Sequence, residues 1–143
     1  MKAYSELYLS DIVDNQGEAF LALRDELPSV DEKWFIEKYM QSHVRAMLDI
    51  GNIKFANMPS RELIKWFIEE ECNNEYERGE EWGGFIPEWA GRIYAMYQWE
   101  HNVKSKDLIK ILPLSKIEEV FPALHQVSWS SAVDKIYGLV KGA

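Results

Sequence analysis

The stretch that most constrains this chain is residues 82–101, WGGFIPEWAGRIYAMYQWEH. It holds three of the six tryptophans, two of the seven tyrosines, a Gly-Gly turn and a proline-led helix start. Pro87 suits the first helical position, where its missing N–H costs nothing and its fixed φ is already helical. Glu88 beside it meets the positive end of the helix dipole. The spacing predicts a helix from about 87 to 101. Trp89, Ile93, Met96 and Tyr97 share one face, while Ala90, Tyr94 and Trp99 lie elsewhere on it. A helix apolar nearly all round is one surrounded by others. Gly91 lacks a side chain where a neighbour can approach, and Glu88 stands four residues before Arg92, close enough to pair.

The rest of the chain supplies those neighbours. Leu9, Ile12, Val13, Gln16, Phe20, Leu23 and Leu27 recur at three and four, which predicts a first helix over residues 5–27. Gly17 falls near that stripe, so either another helix crosses closely there or the helix breaks near Asn15. Asp31 is an N-cap for a second helix running to residue 50, with Phe35, Ile36, Tyr39, Met40, His43, Val44, Met47 and Leu48 on its apolar face. His43 on that face reads as a buried histidine bonded to a neighbour. Residues 52–58 read as a connector, and Pro59 with Ser60 opens a third helix over 61–72, Leu63, Ile64, Phe67 and Ile68 inward and Trp66 at its edge. Shorter helices follow at 106–112, capped by Ser105, and at 116–121, where Ser115 and Glu118 match a capping box and Pro122 is a stop. One of Ser128, Ser130 or Ser131 caps the last helix, with Val133, Ile136, Tyr137 and Val140 inward. No strand pattern or internal repeat is present. The expectation is one all-α domain over residues 1–143, with six or seven helices around a central Trp/Tyr-rich helix.

Charge narrows the partners. Residues 1–99 carry 10 Lys/Arg against 19 Asp/Glu, and residues 100–143 carry 6 against 5. An acidic chain without a clustered basic face repels phosphate backbones, which argues against nucleic-acid binding. Residues 69–81, EEECNNEYERGEE, hold seven glutamates and one arginine. This run reads as a solvated loop, or as a docking surface for a basic protein, with Glu75, Glu77, Glu80, Glu81 and Trp82 as partner-binding candidates. The single cysteine, Cys72, excludes an internal disulfide, and near a helix end it reads as a small buried hydrophobe. No apolar run approaches a membrane span and the N-terminal residues lack a signal-peptide core, so the chain reads as cytoplasmic, with no membrane partner.

No catalytic constellation emerges. The sequence has no Gly-x-Ser-x-Gly elbow, Walker loop, Gly-x-Gly-x-x-Gly or His-Glu-x-x-His. His43, His101 and His125 are far apart, and no calcium-loop pattern appears, so no metal or cofactor is expected. Glu100 and His101 are adjacent on a helix and point about 100° apart, which argues against a facing acid–base pair. Asp134 is placed to meet His125 across the last turn. The aromatic surroundings of the central helix offer a second kind of site, a small-molecule pocket against the C-terminal helices, with Trp89, Arg92, Tyr97, Trp99, Glu100 and His125 as candidates.

Three patches occur in a recognisable order. YLSD at 8–11 is followed by NQGEAF at 15–20; GNIKF at 51–55 precedes Met58 and REL at 61–63; EWAG at 88–91 precedes Tyr94, YQW at 97–99 and LH at 124–125. This order resembles a family of small, uncharacterised all-helical bacterial proteins. The resemblance implies a cytoplasmic protein encoded among mobile or toxin-associated genes, with an antitoxin-like or immunity-like role. It carries over no catalytic residue and draws attention to Trp89, Gly91, Tyr97, Gln98, Trp99 and His125. Three readings stand: a protein-binding module with an acidic surface, a small-molecule-binding protein or enzyme, and a structural helical homo-oligomer.

Overall fold

The apolar stripe of residues 9–27 becomes helix α1 (Leu9–Glu26), unbroken through Gly17 and entered by a short 3-10 turn at Glu6–Tyr8. The computed structural model describes residues 2–142 and, among them, contains nine α-helices and one isolated antiparallel bridge, between Val30 and Arg78. After α1 come α2 (Glu32–Met40), α3 (His43–Asp49), α4 (Ile53–Ala56) and α5 (Ser60–Glu71). A 14-residue irregular loop, 72–85, leads to α6 (Ile86–His101), then α7 (Ser105–Ile111), α8 (Leu114–Leu124) and α9 (Trp129–Gly142).

Helix α6 is the central element, packed chiefly on α1 and also on α9, α7 and α8. The α1 and α6 backbones touch at Gly17 and Gly91. A Cβ on Gly91 would stand 2.4 Å from the Gln16 carbonyl oxygen and 3.0 Å from the Gly17 Cα. A Cβ on Gly17 would stand 2.7 Å from both Cγ and Nε of Arg92. The close crossing, not a helix break, is the reason for Gly17. Further along, Leu9 and Val13 cluster with Ala95 and Trp99, so the two helices run antiparallel. On the other side of α1, Phe20 and Phe67 both meet the Tyr39 ring edge-on at 5.6 Å, tying α1, α2 and α5 together.

The expected count of six or seven helices is low for two reasons. The helix expected over 31–50 is two helices, because Ser42 adopts an extended backbone and accepts from the Arg45 N–H, starting α3 afresh. Glu71, from the end of α5, accepts from the His43 and Val44 N–H groups at 2.8 and 3.0 Å. A carboxylate that the helix dipole disfavours at the C-terminus of α5 therefore caps the N-terminus of another helix. With the chain broken here, His43 is exposed and not a core residue. The 52–58 connector also contains a helical turn, α4, capped by Asn52.

Two further boundaries differ from expectation. Ser105 does not cap α7 with its own hydroxyl. It is buried, and its N–H and hydroxyl both donate to the Asp49 carboxylate, at 2.8 and 2.6 Å. Asp49 also lies 3.1 Å from the buried Arg45 guanidinium, an ion pair without hydrogen-bond alignment. Helix α8 starts at Leu114 without a side-chain cap and continues past Pro122 to Leu124, since a proline in the last turn forfeits only one bond. Ser128 is the residue that caps α9, accepting from the Ser131 N–H.

Two outcomes follow. Gly91→Ala gains about 1 kcal/mol of helix propensity yet loses about 1–3 kcal/mol to overpacking, so its denaturation midpoint falls. Gly138→Ala, on an open face of α9, raises the midpoint. Burial pushes the Tyr39 and Tyr4 phenols up to about 12 and Tyr94 well above its ordinary value. A folded pKa raised above the unfolded one stabilises fully below the unfolded value and is lost as pH climbs towards the folded one. Stability therefore falls between pH 10.0 and about 12. Tyrosinate absorbance from these three should appear together with loss of helical dichroism; complete ionisation with helicity intact would contradict their burial.

Candidate functional site

The Gly17–Gly91 contact decides where Arg92 goes. With no side chain on Gly17, the Arg92 stem lies across α1 and its guanidinium donates to Asp14, one turn back. Glu88 stands 3.8 Å away on the other side, the expected four-residue pairing, and the guanidinium sits 4.9 Å over the Trp129 ring. Arg92 thus has its charge committed to two carboxylates and an aromatic face.

Around it opens a groove of about 470 Å³ between α1, the start of α6, and the α8–α9 corner. Asp14 and Glu18 line it from α1, and Glu88, Trp89 and Arg92 from α6. Phe121, His125 and Trp129 close it from α8 and α9, and Phe85 stands at its mouth, 68% exposed. Trp89 meets Phe121 edge-on at 5.5 Å, and Phe121 stacks on His125 at 4.5 Å. His125 Nδ1 lies 2.8 Å from the Phe121 carbonyl, which fixes the ring. Glu18 is exposed and has no ion-pair partner among the described residues. Chemically the groove presents aromatic faces and carboxylates that exceed the one guanidinium among them.

The pocket expected from sequence is divided. Trp89, Arg92 and His125 meet in the groove, but Tyr97, Trp99 and Glu100 do not line it. Trp99 is buried at the other end of α6, its indole donating to the Tyr4 carbonyl at 2.9 Å. Tyr97 is buried beside His101, with ring centroids 4.9 Å apart. Glu100 and His101 turn towards α9, and their tips lie 3.9 Å apart, because flexible side chains overcome the 100° between their Cα–Cβ bonds. Asp134 lies with these two and not with His125. None of these groupings supplies a paired nucleophile and base.

The acidic loop is fixed to the fold. The Asp31, Glu32 and Gly79 N–H groups donate to the carbonyls of Glu77, Glu80 and Ser29 at 2.9, 3.2 and 2.9 Å. Tyr76 and Arg78 side chains donate to the Pro28 carbonyl. Glu75, Glu77, Glu80 and Glu81 are exposed, and only Glu81 reaches a cation, Arg24 at 3.4 Å. Trp82 is different. It is 2% exposed, and its indole donates to Glu118 of α8 at 3.0 Å, so it is a joint in the core and not a surface anchor.

Sequence reasoning missed Glu32, which is fully buried. Arg24 grips its carboxylate with two 3.1 Å bonds, and the Trp82 N–H donates to it at 2.9 Å. Arg45 and Asp49 were missed as well, although their spacing of four was a visible signal. Cys72 is half-buried, and burial raises its thiol pKa, which suits an unreactive residue. Among the described residues no helix is long and apolar enough to cross a membrane. Comparison with known protein families, curated proteins and solved structures gives no match to this chain.

A difference in stability separates the two kinds of loop residue. Trp82→Ala should cost about 3–5 kcal/mol in chemical denaturation. Glu77→Lys and Glu80→Lys, at unpaired exposed positions, should stay within about 0.5 kcal/mol of the parent protein. Equal effects would mean that the loop carboxylates are structural.

Proposed function

We propose that this chain is a protein-binding module whose partner presents a basic segment, the kind of contact an antitoxin-like or immunity-like role requires. One observation carries the reading: Glu18 stands unpaired in an aromatic-walled groove whose only guanidinium is already committed to Asp14, Glu88 and Trp129. An incoming lysine or arginine finds a free carboxylate and aromatic faces there, and both strengthen as water leaves.

The loop adds a second acidic feature. Glu75, Glu77 and Glu80 lack ion-pair partners among the described residues, and their backbone is tied to the α1–α2 turn. Fixed, exposed like charges of this kind favour a cationic partner. Steering by such a field raises association rates, which fall as salt screens it. Phe85, three residues beyond Trp82, leads from the loop into the groove.

A second reading has its own support. Trp89, Arg92 and His125 converge on the groove, so a small organic cation is an alternative occupant. One experiment separates the two. An arginine-rich peptide and free arginine methyl ester are each titrated into the protein by calorimetry at low and moderate salt. The module reading predicts peptide binding that weakens with salt, loses about tenfold or more in Glu18→Lys, and weakens further when Glu77→Lys and Glu80→Lys are added. Binding of the ester alone favours the small-molecule reading. Peptide binding indifferent to both salt and Glu18→Lys overturns the module.

A further inference from the structure

At the opposite end of α6 from the groove, three ligating side chains converge. Glu100 and His101 close the last turn of α6, and Asp134 comes from α9. A carboxylate oxygen of each acid and one imidazole nitrogen all lie within 4.8 Å of one another. The packing of α9 on α6 makes this cluster, since 33 residues separate Asp134 from His101 in sequence.

Two of these side chains carry a buried polar atom without a partner. Glu100 Oε2 and His101 Nε2 are both out of contact with solvent, and neither has a hydrogen-bond partner. Leaving a buried carboxylate oxygen and a buried imidazole nitrogen unmet is unfavourable, and native structures seldom do it twice at one spot. The 3.9 Å between them is too long for a hydrogen bond. Among the described residues, no lysine or arginine lies in ion-pair range of Glu100 or Asp134. The Lys2 ammonium donates to the Glu100 carbonyl and sits over the Trp99 ring, and the Lys141 ammonium sits over the Tyr137 ring.

The surroundings hold the ligands in place. The Tyr137 ring stacks on His101 at 3.8 Å and 3°, and Ser130 donates to Glu100 Oε1 at 3.3 Å, leaving Oε2 available. Orienting contacts of this kind are what ligating side chains receive from their neighbours. Donors around a tetrahedral ion with bonds of about 2.0–2.2 Å stand about 3.4 Å apart. Reaching that value takes a rotation of Asp134, which is exposed, together with a small approach of the Glu100 and His101 tips from 3.9 Å.

We propose that Glu100, His101 and Asp134 form a binding site for a divalent transition-metal ion. One nitrogen and two carboxylate oxygens suit zinc, cobalt or manganese better than calcium, which takes six or more oxygens. Three protein ligands leave at least one coordination position, on the solvent side of Asp134, for water. A single ion answers both unpartnered buried atoms and the excess of negative charge at once.

The test uses the whole 143-residue chain stripped with a chelator. Cobalt is added while visible absorption is followed, and zinc binding is measured by calorimetry. The expected result is saturable binding of one ion per chain, with a cobalt spectrum of low coordination number that zinc abolishes. His101→Gln should lose this binding, and Asp134→Asn should weaken it by about tenfold or more. Asp134 is exposed, so its substitution leaves the fold intact whatever becomes of the His101 variant. His43→Gln and His125→Gln should bind as the parent does. Absence of saturable binding, or binding unchanged in Asp134→Asn, overturns the proposal.

Discussion

Contact between two helix backbones sets the rest of the molecule. Because Gly91 presses on the Gln16 carbonyl and Gly17, α6 approaches α1 more closely than any side chain would allow. That approach buries α6 on nearly all sides and brings Ala95 and Trp99 against Leu9 and Val13. It also has a chemical consequence. Arg92 is excluded from the crossing, lies over Gly17 and surfaces between Asp14, Glu88 and Trp129. The groove is the space left beside the crossing, and its charge is set by which carboxylates Arg92 reaches. Glu18, one turn beyond, is the one it leaves alone.

A second constraint comes from carboxylates that act far from their own helix. Glu71 caps α3 across 28 residues, and Asp49 caps α7 across 56. Glu32 ties Arg24 of α1 to the Trp82 N–H across 50. Each satisfies donors that a helix end or a loop turn leaves open. Each also fixes one short helix against another. A fold made of short helices, marginal alone, depends on such links as much as on its core.

These links explain what was legible in the sequence. Periodic stripes gave α1, α5 and α6 and their buried residues, since one apolar face per helix is a local property. Gly91 signals a close approach and Gly17 either a close crossing or a break, with nothing to say that the two approach each other. The break at Ser42 was invisible, because the apolar spacing continues through it and the carboxylate that caps α3 lies in another helix. His43 was assigned to the core for that same reason. Of the candidate site, Trp89, Arg92 and His125 were found, but Asp14, Glu18, Phe85 and Trp129 depend on the α1–α6 crossing and on the α8–α9 corner. Tyr97, Trp99 and Glu100 share a helix with the groove residues but turn to other faces. Trp82 was read from its acidic neighbours, and its partner, Glu118, is 36 residues away.

An aromatic-walled groove with the unpaired Glu18 lies beside the central crossing, and Phe85, the last residue of the acidic loop's segment, stands at its mouth. The most direct measurement is an NMR titration of isotope-labelled protein with an arginine-rich peptide, following the six tryptophan indole signals. The indole of Trp129, under Arg92 in the groove, should shift in proportion to peptide bound, while that of Trp99, buried at the far end of α6, stays fixed. Saturable binding that moves Trp99 and leaves Trp129 unchanged would contradict binding in the groove.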